Sequence, residues 1–237
     1  MTADLHVWFD PACPSSWLTS QWVRSVAAQR GYDVEWRFLS LRLLHRHVDY
    51  DSHFPPDAEG RHTAGLQLLR VAARVRAEHG VPAVGPLYAA LGEQLFHGPA
   101  DDGELPSRVL PLVSSALARC GLPPDLAQAL SDSSWDAGLQ AEVDSARALA
   151  GPGASPPVLH VHPPDGVAFS GPVISRLPDD EQAVALWDHV IGLASFPGFA
   201  ELKRSLRERP QLPAFGVRSG DVGRQEDWHG GSRRQKR

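Results

Sequence analysis

The run Trp8-Phe9-Asp10-Pro11-Ala12-Cys13-Pro14-Ser15-Ser16-Trp17 decides the fold, because a short apolar strand stops there and an amphipathic pattern begins. Before it, Leu5, Val7 and Phe9 alternate with His6 and Trp8, the period-2 signature of a strand. After it, Trp17, Leu18, Trp22, Val23 and Val26 recur at helical spacing, and Gly31 is the stop signal. Cys13 therefore stands at a helix N-terminus. There, unpaired backbone N–H groups and the positive end of the helix dipole favour a thiolate, which predicts a depressed thiol pKa. Pro14 falls in the first helical turn, where its missing N–H costs nothing. The spacing is that of a Cys-x-x-Cys redox motif, but Ser16 occupies the second position. The nucleophile is kept, and the thiol that would resolve a mixed disulfide is not.

Outward from this junction, Asp33 to Leu39 reads as a second strand, with Val34, Trp36 and Phe38 on one face and Glu35 and Arg37 on the other. A strand, a helix and a strand in succession predict a parallel pair. From 61 to 149 the spacing turns helical, as in Leu66, Leu69, Leu87, Leu91 and Leu95. Turn signals at Gly80, Pro82, Gly98-Pro99, Gly121 and Pro123-Pro124 cut this stretch into four or five helices. It reads as an all-helical insertion, a lid, between two parts of a core at 1–60 and 150–210. The second part carries strand patterns at Val158 to Val161 and Val167 to Phe169. It also carries a helix at Asp179 to Leu193 with acidic residues at its start, and a last helix at Phe199 to Arg207. Beyond Pro213 apolar periodicity is lost, so 213–237 is expected to be a disordered tail.

Composition narrows the class. At 237 residues, 42% hydrophobic and 22% charged, the chain can bury one large core or one core with an insertion. No stretch approaches the roughly 20 apolar residues of a membrane span, and no secretory-signal layout precedes Leu5. Two cysteines, Cys13 and Cys120, make no disulfide framework, so a reducing cytoplasm is the expected compartment. A net charge of −5 argues against a nucleic-acid-binding body, and the basic end Arg233-Arg234-Gln235-Lys236-Arg237 reads as a solvated tail.

The order β-α-β, helical insertion, β-β-α resembles the DsbA-like thioredoxin fold, an α/β class. Finer motifs, Phe9-Asp10-Pro11-Ala12-Cys13-Pro14 with Trp17, Ser20 and Trp22 behind it, Gly85 to Gly92, Gly166 to Arg176, Leu186-Trp187-Asp188 and Glu201 to Arg204, resemble those of the actinobacterial mycothiol-dependent nitroreductase group within it. The resemblance implies catalytic roles for Cys13, Ser16 and Pro156. It also implies substrate contacts from Pro14, Ser15, Trp17, His45, His97 and Ser155. Ser155-Pro156 takes the place of the cis-proline loop, with Pro156 as the cis residue turning the Ser155 backbone toward a thiol substrate that pairs like an added strand. Redox-active members carry Cys-Pro-aromatic-Cys; Ser15 replaces the aromatic and Ser16 the resolving cysteine.

The expected activity is that of a thiol-dependent oxidoreductase or transferase working through one cysteine. Its co-substrate would be a low-molecular-weight thiol such as mycothiol, with a small electrophile or disulfide as the second substrate. Nothing is expected to be tightly bound, the metal set is empty, and the chain is expected to act as a monomer or homodimer. Two alternatives stay open: an enzyme like the kappa-class glutathione transferases, or an isomerase, that activates a bound thiol by hydrogen bonding, and a redox-inactive binding module. The pairs His45/His47 and His160/His162 have metal-like His-x-His spacing but lack a third ligand, and read as solvent-facing. Cys120, at the end of an insertion helix, reads as structural.

Overall fold

The computed structural model describes residues 3–98, 105–203, 206–208, 210–217 and 225–227. Strand β1 (Leu5–Phe9) runs parallel to β2 (Val34–Phe38), with Leu5 facing Val34 and Phe9 facing Phe38. On its other side β1 pairs antiparallel with β3 (Val158–Val161), which pairs antiparallel with β4 (Ala168–Ser170). Among the described residues these make a four-stranded sheet in the order β2-β1-β3-β4. Helix α1 (Pro14–Arg30) is the crossover between the parallel strands, and Gly31 ends it in the left-handed conformation, φ 70°. A glycine adopts that conformation without the penalty a Cβ would bring.

Short helices α2 (Leu41–Leu44) and α3 (Tyr50–His53) lead into α4 (Ala58–His79), α5 (Val84–Phe96), α6 (Leu105–Arg119) and α7 (Asp136–Ala150). Two glycines let α5 approach the core. A Cβ at Gly92 would sit 2.1 Å from the Trp17 ring, and one at Gly85 would sit 2.9 Å from the Trp36 ring. Tyr88, between them, stacks on Phe9 at 3.8 Å. Helix α7 is tied to the sheet through Glu142, which accepts from Arg37 of β2 at 2.9 Å and from Arg76 of α4 at 2.8 Å. Burial pushes the Glu142 carboxyl up, but the two guanidinium groups outweigh it and hold the carboxyl below the usual range.

Helix α8 (Asp180–Ala194) is capped by Asp179, whose carboxylate accepts the Gln182 N–H at 2.8 Å. It packs on α1 through Trp187, 5.5 Å from Trp22, whose indole N–H donates to the Ala183 carbonyl at 2.9 Å. The helix expected from Phe199 to Arg207 does not form. Residues 199–203 are irregular, and Leu206–Glu208 is instead a strand, β5, paired antiparallel with β6 (Gln225–Asp227). The reason is lack of a buried face: Leu202 is 72% exposed, and Pro197-Gly198 breaks the chain just before it. The expected tail from 213 lies largely outside the described residues. Within it, Pro213–Phe215 forms a 3-10 turn whose Ala214 is buried. Of the histidines read as solvent-facing, His160 is buried, because β3 lies inside the sheet and α7 packs against it; its Nε2 has no partner among the described residues. Among the described residues no helix is long and apolar enough to cross a membrane, and no group of three His, Cys, Asp or Glu is placed to hold a metal ion.

Candidate active site

Cys13 is the N-cap of α1, with extended backbone (φ −89°, ψ 115°), and its sulfur accepts the Ser16 N–H at 3.4 Å. The turn that delivers it is built by Asp10. Its carbonyl accepts the Cys13 N–H at 3.0 Å, and Oδ1 accepts the Ala12 N–H at 2.8 Å. Oδ2 accepts the Leu41 N–H at 2.8 Å, so one buried carboxylate fastens both the thiol loop and the start of α2. Gly65 of α4 leaves it room, since a Cβ there would lie 2.5 Å from Oδ1. Burial pushes the Asp10 carboxyl up to about 6, against the pull of the Leu41 and Ala12 N–H groups. Asp10 was missed as a site residue, although an Asp two residues before a turn N–H, followed by proline, is a recognisable turn signal.

The thiol itself is only 9% exposed. Burial pushes its pKa up, the Ser16 hydroxyl and N–H pull it down, and the Asp10 carboxylate pushes it up again; the balance is upward. The depressed pKa expected from the helix terminus is therefore corrected. A helix end stabilises an anion by about 0.3–1 kcal/mol in exposed settings, which is smaller than the desolvation of a buried one. In keeping with a protonated thiol, Sγ donates to the Pro156 carbonyl at 3.8 Å. Among the described residues neither Ser16 Oγ nor Tyr88 OH, both fully buried, has a hydrogen-bond partner that meets the geometry of a full bond, and the Ser16 hydroxyl still favours the Cys13 anion.

Pro14 and Ser15 are half-buried beside Cys13 on the first turn of α1. Trp17 is enclosed rather than presented. Its ring lies against Gly92, stacks near Phe96 at 5.9 Å, and its N–H donates to His97 Nε2 at 3.1 Å. Trp17 and His97, 80 residues apart in sequence, are thus brought together, with His97 exposed at the C-terminal end of α5. His45 goes elsewhere. Its ring joins Phe54 at 5.0 Å and His62 at 5.9 Å in a cluster with Tyr50, and burial lowers its pKa. In the same cluster the Tyr50 hydroxyl is 3.0 Å from His62 Nδ1.

The proline loop needs two corrections. The cis bond is Pro156-Pro157, so Pro157 and not Pro156 is the cis residue. Both X-Pro bonds have only a small trans preference, so tertiary contacts decide between adjacent prolines. The Ser155 backbone, expected to pair with a substrate, is already satisfied: its N–H donates to Ser170 Oγ at 3.2 Å and its carbonyl accepts from the same hydroxyl at 2.7 Å. Pro156, which follows, carries no N–H to offer. Both thiols are free, with Cys120 partly exposed and Cys13 buried.

Comparison with known proteins places these features in context. A curated Mycobacterium tuberculosis (strain ATCC 25618 / H37Rv) protein, named only as the uncharacterized protein Rv2286c, is 32% identical over 215 residues, covering 90% of this chain and 84% of that one. Among solved structures, a probable DsbA oxidoreductase, SCO1869, from Streptomyces coelicolor matches with a TM-score of 0.49 at 15% identity, covering 87% of this chain and 95% of that one. A putative protein-disulfide isomerase from Pseudomonas syringae matches with a TM-score of 0.48 at 16% identity, covering 79% and 92%. The family model described as Rv2466c-like, mycothiol-dependent nitroreductase Rv2466c, matches residues 12–204, from the residue before the thiol to beyond α8. The chain belongs to that Rv2466c-like family.

Proposed function

We propose that the protein is a thiol-dependent oxidoreductase of the DsbA-like type that works through Cys13 alone, with a low-molecular-weight thiol such as mycothiol as co-substrate. The observation that carries this reading is the capping geometry of Cys13: its sulfur receives the Ser16 N–H at 3.4 Å at the head of a 17-residue helix, in a chain of the Rv2466c-like family. The Cys13 thiolate attacks a small disulfide, forming a mixed disulfide and expelling one thiolate. A second small thiolate then attacks the substrate-derived sulfur, forming a new S–S bond and expelling Cys13 as a thiolate, which takes a proton from solvent to return to the thiol. Two electrons pass between small molecules and none remain on the protein. Ser16 supplies the N–H that steadies the Cys13 anion, and Pro156 supplies the carbonyl that holds its proton beforehand. A cleft between the sheet and the helices of 61–149 receives the thiol, with the exposed His97 at the end of α5 beside it, and the reducing cytoplasm is the compartment that suits a free, single-thiol site.

A second reading is favoured by a different observation. Cys13 has a raised pKa, and Ser16 Oγ is buried without a partner among the described residues, an arrangement suited to donating a hydrogen bond to a bound thiol whose own sulfur attacks the electrophile. Intact mass after exposure to a small disulfide separates the readings. A mixed disulfide on Cys13, lost in Cys13→Ser and kept in Cys120→Ser, is the expected result. Thiol binding without an adduct supports the second reading, and neither adduct nor binding leaves a redox-inactive module.

A further inference from the structure

The segment Ser155-Pro156-Pro157 touches the thiol, so the partners of its backbone groups decide what can pair beside Cys13. Two of its residues are prolines without an N–H, which leaves the Ser155 N–H and the three carbonyls. Every one is engaged. The Pro156 carbonyl accepts from Cys13 Sγ at 3.8 Å, and the Pro157 carbonyl accepts the Gly171 N–H at 2.7 Å. Both groups of Ser155 go to one side chain, the Ser170 hydroxyl, which accepts the N–H at 3.2 Å and donates to the carbonyl at 2.7 Å.

Ser170 is the last residue of β4 and stands opposite Val158 of β3. By accepting and donating at once, its hydroxyl does for Ser155 what the C=O and N–H of an added strand would do. An extended peptide binds such a segment by exchanging N–H and C=O bonds with it. A peptide carbonyl laid along 155–157 meets no free donor here. Displacing the Ser170 hydroxyl trades one hydrogen bond for another, with no net gain. The hydroxyl also competes from within the same chain, at an effective concentration that a free peptide does not match. A small disulfide loses nothing by this arrangement. Its attachment needs the Cys13 sulfur and not a row of backbone bonds.

We propose that Ser170 is a specificity-determining residue, which withholds the Ser155 backbone from extended peptides and so confines Cys13 to small disulfides. The proposal rests on the monothiol reading above. Ser155 and Ser170 are both exposed, so the bonds between them lie within reach of a substrate, and truncating Ser170 leaves the core intact.

The test is the rate at which the full chain, carrying Cys120→Ser so that only Cys13 reports, forms a mixed disulfide read by intact mass. Two disulfides are compared: hydroxyethyl disulfide, and the disulfide-linked dimer of a Thr- and Ser-rich peptide with one central cysteine. Each rate is divided by that of the same disulfide with free cysteine. Ser170→Ala should raise the peptide rate about tenfold, because both Ser155 groups become available, and leave the hydroxyethyl disulfide rate within about twofold. Ser170→Thr, which keeps the hydroxyl, should match wild type on both. An unchanged peptide rate in folded Ser170→Ala overturns the proposal. So does a parallel rise with both disulfides, which reports a more open thiol and not a released backbone. The same peptide with serine for its cysteine separates specificity from chemistry, read from the Ser155 amide resonance. If neither disulfide marks Cys13 in any variant, the monothiol reading falls. A shift of that resonance on adding the peptide to Ser170→Ala, but not to wild type, then keeps the role of Ser170, and no shift in either overturns it as well.

Discussion

At the scale of the residue, Cys13 shows two electrostatic effects in competition. The helix terminus and the Ser16 N–H favour the thiolate, whereas burial and the neighbouring Asp10 carboxylate favour the thiol, and the second pair prevails. Alkylation rate against pH should therefore give a midpoint above the roughly 8.5 of an unperturbed cysteine; a midpoint below it would mean that the site is solvated in solution. Ser16→Cys places a second thiol one turn along α1, on the side that already faces the Cys13 sulfur. This variant should form an internal disulfide on oxidation, lowering the mass by two hydrogens, and should release mixed disulfides faster than wild type. Recovery of turnover should be partial, because Ser15 still stands where redox-active members of the resembling group carry an aromatic ring.

At the scale of the element, the seam between α1 and α5 sets the position of the site. Trp17 occupies the space left by Gly92, and its N–H reaches His97 one turn beyond. Gly92→Ala would drive a methyl group to 2.1 Å from the indole ring, with the α5 backbone behind it and no flexible chain to yield. Overpacking of this kind costs about 1–3 kcal/mol or more, which for a chain of this size lowers Tm by about 2–4 °C per kcal/mol. Gly138→Ala in α7 is the control. Among the described residues nothing lies within 4 Å of a Cβ there, so removing backbone freedom from the first turn of α7 should stabilise the chain by about 0.4–1 kcal/mol. Thermal unfolding of the two variants should move in opposite directions.

At the scale of the whole molecule, two buried groups give pH dependences of opposite sign. Burial raises the Asp10 carboxyl from 3.8 to about 6, so its contribution is fully present below 3.8 and is lost as pH rises through about 6. Burial, with help from His45, Arg42 and Arg61, lowers His62 from 6.5 to about 4, so its contribution is present above 6.5 and is lost as pH falls through about 4. Each is worth about 3 kcal/mol at 1.36 kcal/mol per pKa unit, so between pH 4 and 6 the two slopes oppose each other. Denaturant unfolding of Asp10→Asn should show stability falling more steeply on acidification than in wild type. His62→Gln, which keeps a polar neighbour for Tyr50, should show stability rising over the same interval. Parallel slopes in the two variants would mean that other groups govern acid stability.

The sequence by itself determined whatever local periodicity and covalent chemistry encode. The alternation at Leu5 to Phe9 and Val34 to Phe38, the helical spacing after Cys13 and the glycine stop at Gly31 place a cysteine at a strand-to-helix junction wherever the rest of the chain goes. The family motifs were legible for the same reason, being short runs read in order. Tertiary structure alone decided the protonation of Cys13, the burial of His160, the choice between Pro156 and Pro157 and the capture of the Ser155 backbone by Ser170. Each of these depends on which distant segment displaces water from a given atom. The 3.6- and 2-residue periods say which face of an element is buried, but not what it is buried against. The irregular 199–203 stretch marks the same limit, since helical spacing makes a helix only where another surface covers its apolar side.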